Sequence, residues 1–242
     1  MHPEEFREMQ ALEEDHWWFR GKRLLLQALL ARTGAADRVL DVGCGTGGVL
    51  LALADRAAMV AGVDTALLAL EFCREKGLRN VVQGSATALP FATGSFDVCV
   101  MMDVLEHLDD ESMLLAEVRR VLRPGGAALI SVPAFRALWS QHDVTFQHRR
   151  RYRRRELEDT VRRAGLRVEW SSYTNFFLFP PALAWRTLRR WTGIAPERRT
   201  DFFTAPALLN RALVETYRWE AALVRRVTLP FGVSVACVAR SA

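Results

Sequence analysis

Val39-Leu-Asp-Val-Gly-Cys-Gly-Thr-Gly-Gly48 is the stretch that decides the fold. A short apolar run ends in a carboxylate, Asp41, and a glycine-rich loop follows at once. That pattern reads as a buried parallel strand turning into a helix. Gly43-x-Gly45-x-x-Gly48 satisfies the dinucleotide fingerprint, in which glycines permit a tight turn and close backbone approach to a ligand at a helix start. Taken alone the match is weak, and its flanks sharpen it. Asp41 stands two residues before the first glycine, where a carboxylate repels a pyrophosphate and attracts an ammonium group. The next apolar run, Met59 to Val63, ends in Asp64, about 20 residues on, where an acid accepts ribose hydroxyls. Asp64 suits a nicotinamide dinucleotide and other ribose-bearing cofactors alike.

Outward from this loop, apolar strands alternate with helical spacing. Strands are expected at Val39 to Val42, Met59 to Val63, Asn80 to Gln83, Phe96 to Met101, Ala127 to Val132, Leu166 to about Trp170, and Gly232 to Val238. Helices are expected at Val49 to Ala54, Leu67 to Lys76, Asp110 to Leu122 and Arg153 to Ala164. Arg123-Pro-Gly-Gly126 reads as a turn, and residues 133 to 152 read as a polar, aromatic loop. Strands spaced by helices predict an α/β fold: a doubly wound, mostly parallel seven-stranded sheet with helices on both faces. Residues 1–242 are expected to form one domain. Residues 1–36 would be a helical lid, 37–176 the core, 177–229 a helical insertion and 230–242 the last strand.

The lid carries His16-Trp-Trp-Phe-Arg-Gly-Lys22. One reading packs these aromatics on the sheet. The other has Trp17 or Trp18 exclude water from a bound ligand while Arg20 meets its carboxylate. The insertion holds two helix-like stretches, Pro181 to Trp191 and Pro206 to Val227, and is rich in aromatics.

The chain has 242 residues, 50% hydrophobic and 25% charged, the balance of an ordinary soluble protein. Its four cysteines form no C-x-x-C pair, which suits free thiols in a reducing cytoplasm. The acidic, polar start does not resemble a signal peptide, and no apolar run is long enough to span a bilayer. A cytoplasmic location is therefore expected. The formal charge of +5 owes much to Arg149-Arg-Arg-Tyr-Arg-Arg-Arg155. Glu156, Glu158 and Asp159 offset that run, and no aromatic-interleaved basic stripe accompanies it, so no nucleic-acid partner is expected.

Five motifs in order now carry a resemblance. They are Asp41-x-Gly43-x-Gly45-x-Gly47, Asp64 after the second strand, Leu89-Pro-Phe91 before Ser95-Phe-Asp97, Asp103-Val-Leu-Glu-His-Leu108 and Arg123-Pro-Gly-Gly126. From Val39 to Val132 the chain resembles the class I S-adenosylmethionine (SAM)-dependent methyltransferases. The resemblance implies SAM as cofactor and S-adenosylhomocysteine as product. It implies that Asp41 and the backbone of Gly43, Cys44 and Gly45 hold the methionine part. Asp64 would take the ribose, with Thr65 beside the adenine and Ser85, Ala86 and Thr87 at its edge. Many relatives carry an aspartate where this chain has Ser85. Met102 and Asp103 would line the floor under the sulfonium, with His107 on the following turn.

Methyl transfer needs a positioned nucleophile and, for a hydroxyl, a base near neutral pKa. His142 and His148, in the loop leaving the fifth strand, are the candidate bases. No metal is expected, because the two lie six residues apart with no third ligand in view. The lid and loop segments also resemble a bacterial subgroup found with glycan, lipid-linked sugar or natural-product pathways. The expected acceptor is a small-molecule, natural-product or lipid- or glycan-like compound methylated at oxygen, with any anionic group set against the arginines. The aromatic insertion and arginines fit such an acceptor, and fit a dimer interface or a peripheral membrane surface equally well. The alternatives are a SAM-binding fold that catalyses a rearrangement or cyclisation, a nicotinamide oxidoreductase, and a nonenzymatic membrane-surface protein.

Overall fold

The computed structural model describes residues 3–192, 200 and 202–241. Among them, seven strands form one sheet: β1 (Arg38–Val42), β2 (Met59–Asp64), β3 (Val81–Gln83), β4 (Phe96–Met102), β5 (Leu122–Pro133), β6 (Arg167–Thr174) and β7 (Ser234–Arg240). Their order is β3-β2-β1-β4-β5-β7-β6. The first five pair in parallel, and β7 runs antiparallel to both neighbours. This is the expected mostly parallel α/β sheet.

The period-2 alternation of the strands decides which helices cover which face. Leu40 and Val42 of β1, with Cys99 and Met101 of β4, pack under α5 (Ser112–Val121) and α7 (Arg154–Arg163) through Leu114, Leu115, Val118, Leu157 and Val161. Val39, Val98 and Val100 face the other side. They meet α2 (Trp17–Leu30) and α9 (Ala207–Val224) through Leu25, Leu26, Leu29 and Val224. Helices α3 (Gly48–Ala54) and α4 (Leu67–Glu75) close the β1–β2 end with Cys44, Leu50, Leu70 and Cys73.

Several boundaries differ from the expectation. The N-terminal helical run is two helices, α1 (Pro3–Leu12) and α2, because His16 caps α2 by accepting the Trp18 N–H. The Arg123–Gly126 turn lies inside β5, where the register against β4 shifts between Phe96 and Val98. The loop of 133 to 152 contains a helical turn (Arg136–Leu138) and the short helix α6 (Gln141–Thr145). The insertion carries α8 (Phe179–Thr192), whose first turn tolerates Pro180 and Pro181 because an N–H at those positions would have no intrahelical partner. The segment between α8 and α9 lies largely outside the described residues. Among the described residues, no helix is long and apolar enough to cross a membrane.

The strand order reverses between β1 and β4, both of which pair with each other while their crossovers lead apart. Open α/β sheets bind ligands in the crevice at such a switch point. Asp41 and Asp103 stand at the carboxyl ends of these two strands.

Candidate active site

Asp41 is the penultimate residue of β1 and is only 2% exposed. Its Oδ2 has no hydrogen-bond partner. Burial pushes its carboxyl well above the usual range, and Cys73, Asp64 and Glu13 nearby push the same way. A buried carboxylate among acids demands a cation or a proton. The loop beyond it must pass close to the end of β4. At Gly43, with φ +73°, a Cβ would stand 2.8 Å from the Val104 side chain, so only glycine fits. The Gly43 and Cys44 N–H groups donate to the Val63 carbonyl at 2.8 and 3.1 Å, which ties the loop to β2.

Asp64 ends β2 and uses both oxygens locally. Oδ2 accepts the Gly45 N–H and Oδ1 the Ala66 N–H, each at 2.9 Å. Thr65 is exposed beside it, and its carbonyl accepts from Gln83 Nε2 at 3.0 Å. Ser85 and Thr87 join their hydroxyls at 2.8 Å, with half-buried Ala86 between them. Thr65 follows β2, and Ser85, Ala86 and Thr87 follow β3.

The end of β4 is unusual in its backbone. Half-buried Met102 is followed by Asp103 at φ +59°, a left-handed conformation that costs a non-glycine residue about 1–3 kcal/mol. The Asp103 N–H donates to the Ser131 carbonyl at 2.8 Å, and its carboxylate pairs with Lys22 of α2. Lys22 also lies over the Trp18 ring, 5.2 Å from its centroid. Burial pulls Lys22 down to about 8, against the pull of Glu106. One helical turn (Leu105–His107) follows. Glu106 and His107 do not cap the next helix; the cap of α5 is Glu111. Instead Glu106 is fully buried, with neither carboxylate oxygen hydrogen-bonded. Burial raises it to about 8, against Lys22 and Arg151.

The loop after β5 folds back onto this turn. The Arg149 N–H donates to the Glu106 carbonyl at 2.6 Å. His148 Nδ1 sits 2.9 Å from Asp143 Oδ1, and its Nε2 lies 4.0 Å from Glu106 Oε1. The ring of His107 meets that of His148 edge-on, with centroids 4.9 Å apart, and burial lowers His107 to about 4. Arg151 donates to both oxygens of Asp143, at 2.7 and 3.0 Å. Burial alone would raise Asp143; the hydrogen bonds from His148 and Arg151 overcome it and hold the group well below the carboxylate range. His142 is set further out, its ring 6.0 Å from that of His148 and packed on Phe146 and Phe202.

The fold thus gathers Lys22, Asp103, Glu106, His107, Asp143 and His148. Arg20 is not brought to the loop: it lines a groove with Arg23, Leu51, Asp55, Arg56 and Arg218 at the far end of α3. The arginine run is largely engaged by neighbouring acids. Arg149 pairs with Asp109, Arg150 with Glu111, Arg151 with Asp143 and Arg154 with Glu158.

Three residues escaped sequence reasoning. Glu13, between α1 and α2, accepts the Gly48 N–H at 2.7 Å and the Thr46 hydroxyl at 2.9 Å, and pairs with Lys76. It sits at the positive end of α3 so tightly that a Cβ on Gly48 would overlap its carboxylate at 2.2 Å. Lys22 and Glu106 stood in quoted motifs with no role assigned to either. Only Glu106 left a signal, as the acid three residues after Asp103 within the Asp103–Leu108 motif.

A methyltransferase-domain family model matches residues 40–130. The malonyl-[acyl-carrier protein] O-methyltransferase of Enterobacter lignolyticus is 33% identical over 178 residues, covering 69% of this chain and 70% of that protein. The chain belongs to the class I SAM-dependent methyltransferases. A second member, a probable SAM-dependent methyltransferase of Mycolicibacterium smegmatis, is 34% identical over 166 residues, covering 67% of this chain and 64% of that protein. The chain spans about half to two thirds of the length of the first curated relatives it matches. A solved SAM-dependent methyltransferase of Thermotoga maritima superposes with a TM-score of 0.62 over 99% of this chain and 96% of that one, at 18% identity. At that identity the likeness concerns the methyltransferase fold alone.

Proposed function

We propose that the protein transfers the methyl group of SAM to an oxygen of a small or lipid-like acceptor. The observation that carries the cofactor reading is Asp41: a buried carboxylate with one oxygen unpartnered, beside a glycine loop at the switch point. The ammonium of the SAM methionine tail supplies the cation it lacks. The Gly43–Gly45 backbone and Cys44 lie along that tail. Asp64 takes the ribose hydroxyls through lone pairs beyond those given to Gly45 and Ala66. Thr65, Ser85, Ala86 and Thr87 border the adenine, and Met102 and Asp103 lie under the sulfonium. When bound, SAM supplies an activated methyl carbon.

The N-terminal helices act as a lid in this reading. Glu13 fastens them to the glycine loop and Lys22 to the end of β4, so Trp18 is held where it excludes water. Of the two candidate bases, His148 is the better oriented, because Asp143 fixes its tautomer while Nε2 faces the turn after β4. In the ion-free protein it is the group placed to take the acceptor's proton. The apolar body of the acceptor finds its surface on the insertion, where Trp185, Trp191 and Trp219 are 57%, 87% and 74% exposed. Arg189 lies over the Trp185 ring, so a cation accompanies that surface and favours an anionic group on the acceptor or its membrane.

The test is incubation with methyl-labelled SAM and hydroxylated lipids or glycosides, scored by product mass. A product heavier by one methylene, formed with S-adenosylhomocysteine, is expected. A product of unchanged mass would establish the rearrangement reading instead.

A further inference from the structure

Three metal-ligating side chains from two separate elements converge at the carboxyl edge of the sheet. Glu106 and His107 come from the turn after β4, and His148 from the loop after β5. One ligand atom of each lies within 4.8 Å of the others. Glu106 is 0% exposed and both its oxygens lack hydrogen-bond partners. Burying a carboxylate without a partner is costly, so the group must hold a proton or meet a cation, and two imidazoles stand beside it to share one. Lys22 does not fill that need: its ammonium pairs with Asp103 and makes no hydrogen bond to Glu106.

His148 carries the support that metal ligands use. Asp143 engages Nδ1 of His148 and leaves Nε2 directed toward Glu106. Asp143 is itself locked by two hydrogen bonds from Arg151 and by the Ser140 N–H at 2.8 Å. The His107 ring packs edge-on against that of His148, with centroids 4.9 Å apart, which sets it beside the other two donors. Such outer partners fix the tautomer and orientation of a ligating imidazole and raise its basicity.

We propose that Glu106, His107 and His148 form a site for one divalent transition-metal ion whose open positions take the acceptor's oxygens. Two imidazoles and one carboxylate suit Zn²⁺, Fe²⁺ or Mn²⁺ and leave coordination positions vacant. Bonds of about 2.0–2.2 Å require the three donors to draw together slightly from their present spacing. A hydroxyl on the ion becomes acidic and gives its proton to water. Its oxygen then attacks the methyl carbon, the carbon–sulfur bond breaks, and the electron pair stays on sulfur as S-adenosylhomocysteine. With the ion bound, His148 is a ligand and no base is needed. The expectation of no metal considered only His142 and His148; the fold replaces His142 with Glu106 and His107. Ion binding stands apart from the methyltransferase reading, and only the acceptor step rests on it.

The experiment strips the full chain with a chelator and titrates Co²⁺, following its visible absorption and counting bound ion. One Co²⁺ per chain is expected, displaced by Zn²⁺. His107→Ala, His148→Ala and Glu106→Gln should each weaken binding more than tenfold, and Asp143→Asn about 10–100-fold. Glu106→Gln removes a buried charge and keeps the shape, so it guards against loss of fold, which SAM binding by each variant also checks. No absorption band, or binding that survives all three ligand variants, overturns the site. Full methyl transfer in chelator without Co²⁺ binding would reject the ion while leaving the methyltransferase reading intact. Absent SAM binding would instead reject that reading and not the ion.

Discussion

Replacing Asp41 with asparagine keeps the shape of the side chain and removes its charge. In the ligand-free protein that charge is a liability, since the group is buried, has an unpartnered oxygen and faces other acids. With SAM bound, the same charge meets an ammonium. A hydrogen bond to a charged group contributes about 1.5–3 kcal/mol against about 1 for a neutral one. The difference of about 1–2 kcal/mol corresponds to about 5–30-fold in affinity. Calorimetric titration should show Asp41→Asn weakening SAM and S-adenosylhomocysteine by that factor. Methylthioadenosine, which lacks the amino-acid tail, should bind both proteins alike. The pH dependence adds a second signature. The folded pKa of Asp41 is raised above its unfolded value, so its contribution to stability is full at acid pH and is lost as pH rises through the folded pKa. The ligand-free wild type should therefore lose stability relative to Asp41→Asn as pH rises, while its SAM affinity grows over the same window. Equal weakening of methylthioadenosine, or unchanged SAM binding, would refute the placement of Asp41 at the ammonium.

Asp64→Ala removes two backbone hydrogen bonds and the ribose acceptor together, so SAM and methylthioadenosine should weaken alike, by about 10–100-fold in the same titration. Arg151→Ala leaves fully buried Asp143 without its guanidinium; a broken buried pair costs about 3–5 kcal/mol. For a protein of this size that is a fall in Tm of about 6–20 °C by calorimetry, and a change under about 2 °C would contradict the buried pair. Glu13→Gln loses the ion pair with Lys76 and one face of the contact to Gly48 and Thr46. Limited proteolysis should then cut the segment between α1 and α2 faster, with SAM restoring protection; an unchanged cutting rate would show that Glu13 does not fasten the lid.

Local chemistry in the chain was enough to read most of the fold. Val39 to Gly48, the acid after Met59–Val63 and the strand–helix alternation settle a parallel α/β sheet, because period-2 runs buried on both faces and glycines at a strand end have few other uses. Asp41 and Asp64 were legible for the same reason: each ends an apolar strand, and that end is where such sheets bind ligands. Boundaries were less so, since His16 breaks the first helix through a cap to Trp18 that no periodicity reveals. The catalytic side of the site was written across distance. Glu106 and His148 stand 42 positions apart, and what joins them is the return of the β5–α7 loop onto the turn after β4, held by Asp143 and Arg151. Glu13 reaches Gly48, and Lys22 reaches Asp103, only because α2 packs over the sheet and brings the lid to the strand ends. Strand ends and glycine turns depend on neighbours in the chain, so residue order determines them. Buried charge clusters depend on which loops meet in space, and tertiary packing alone settles that.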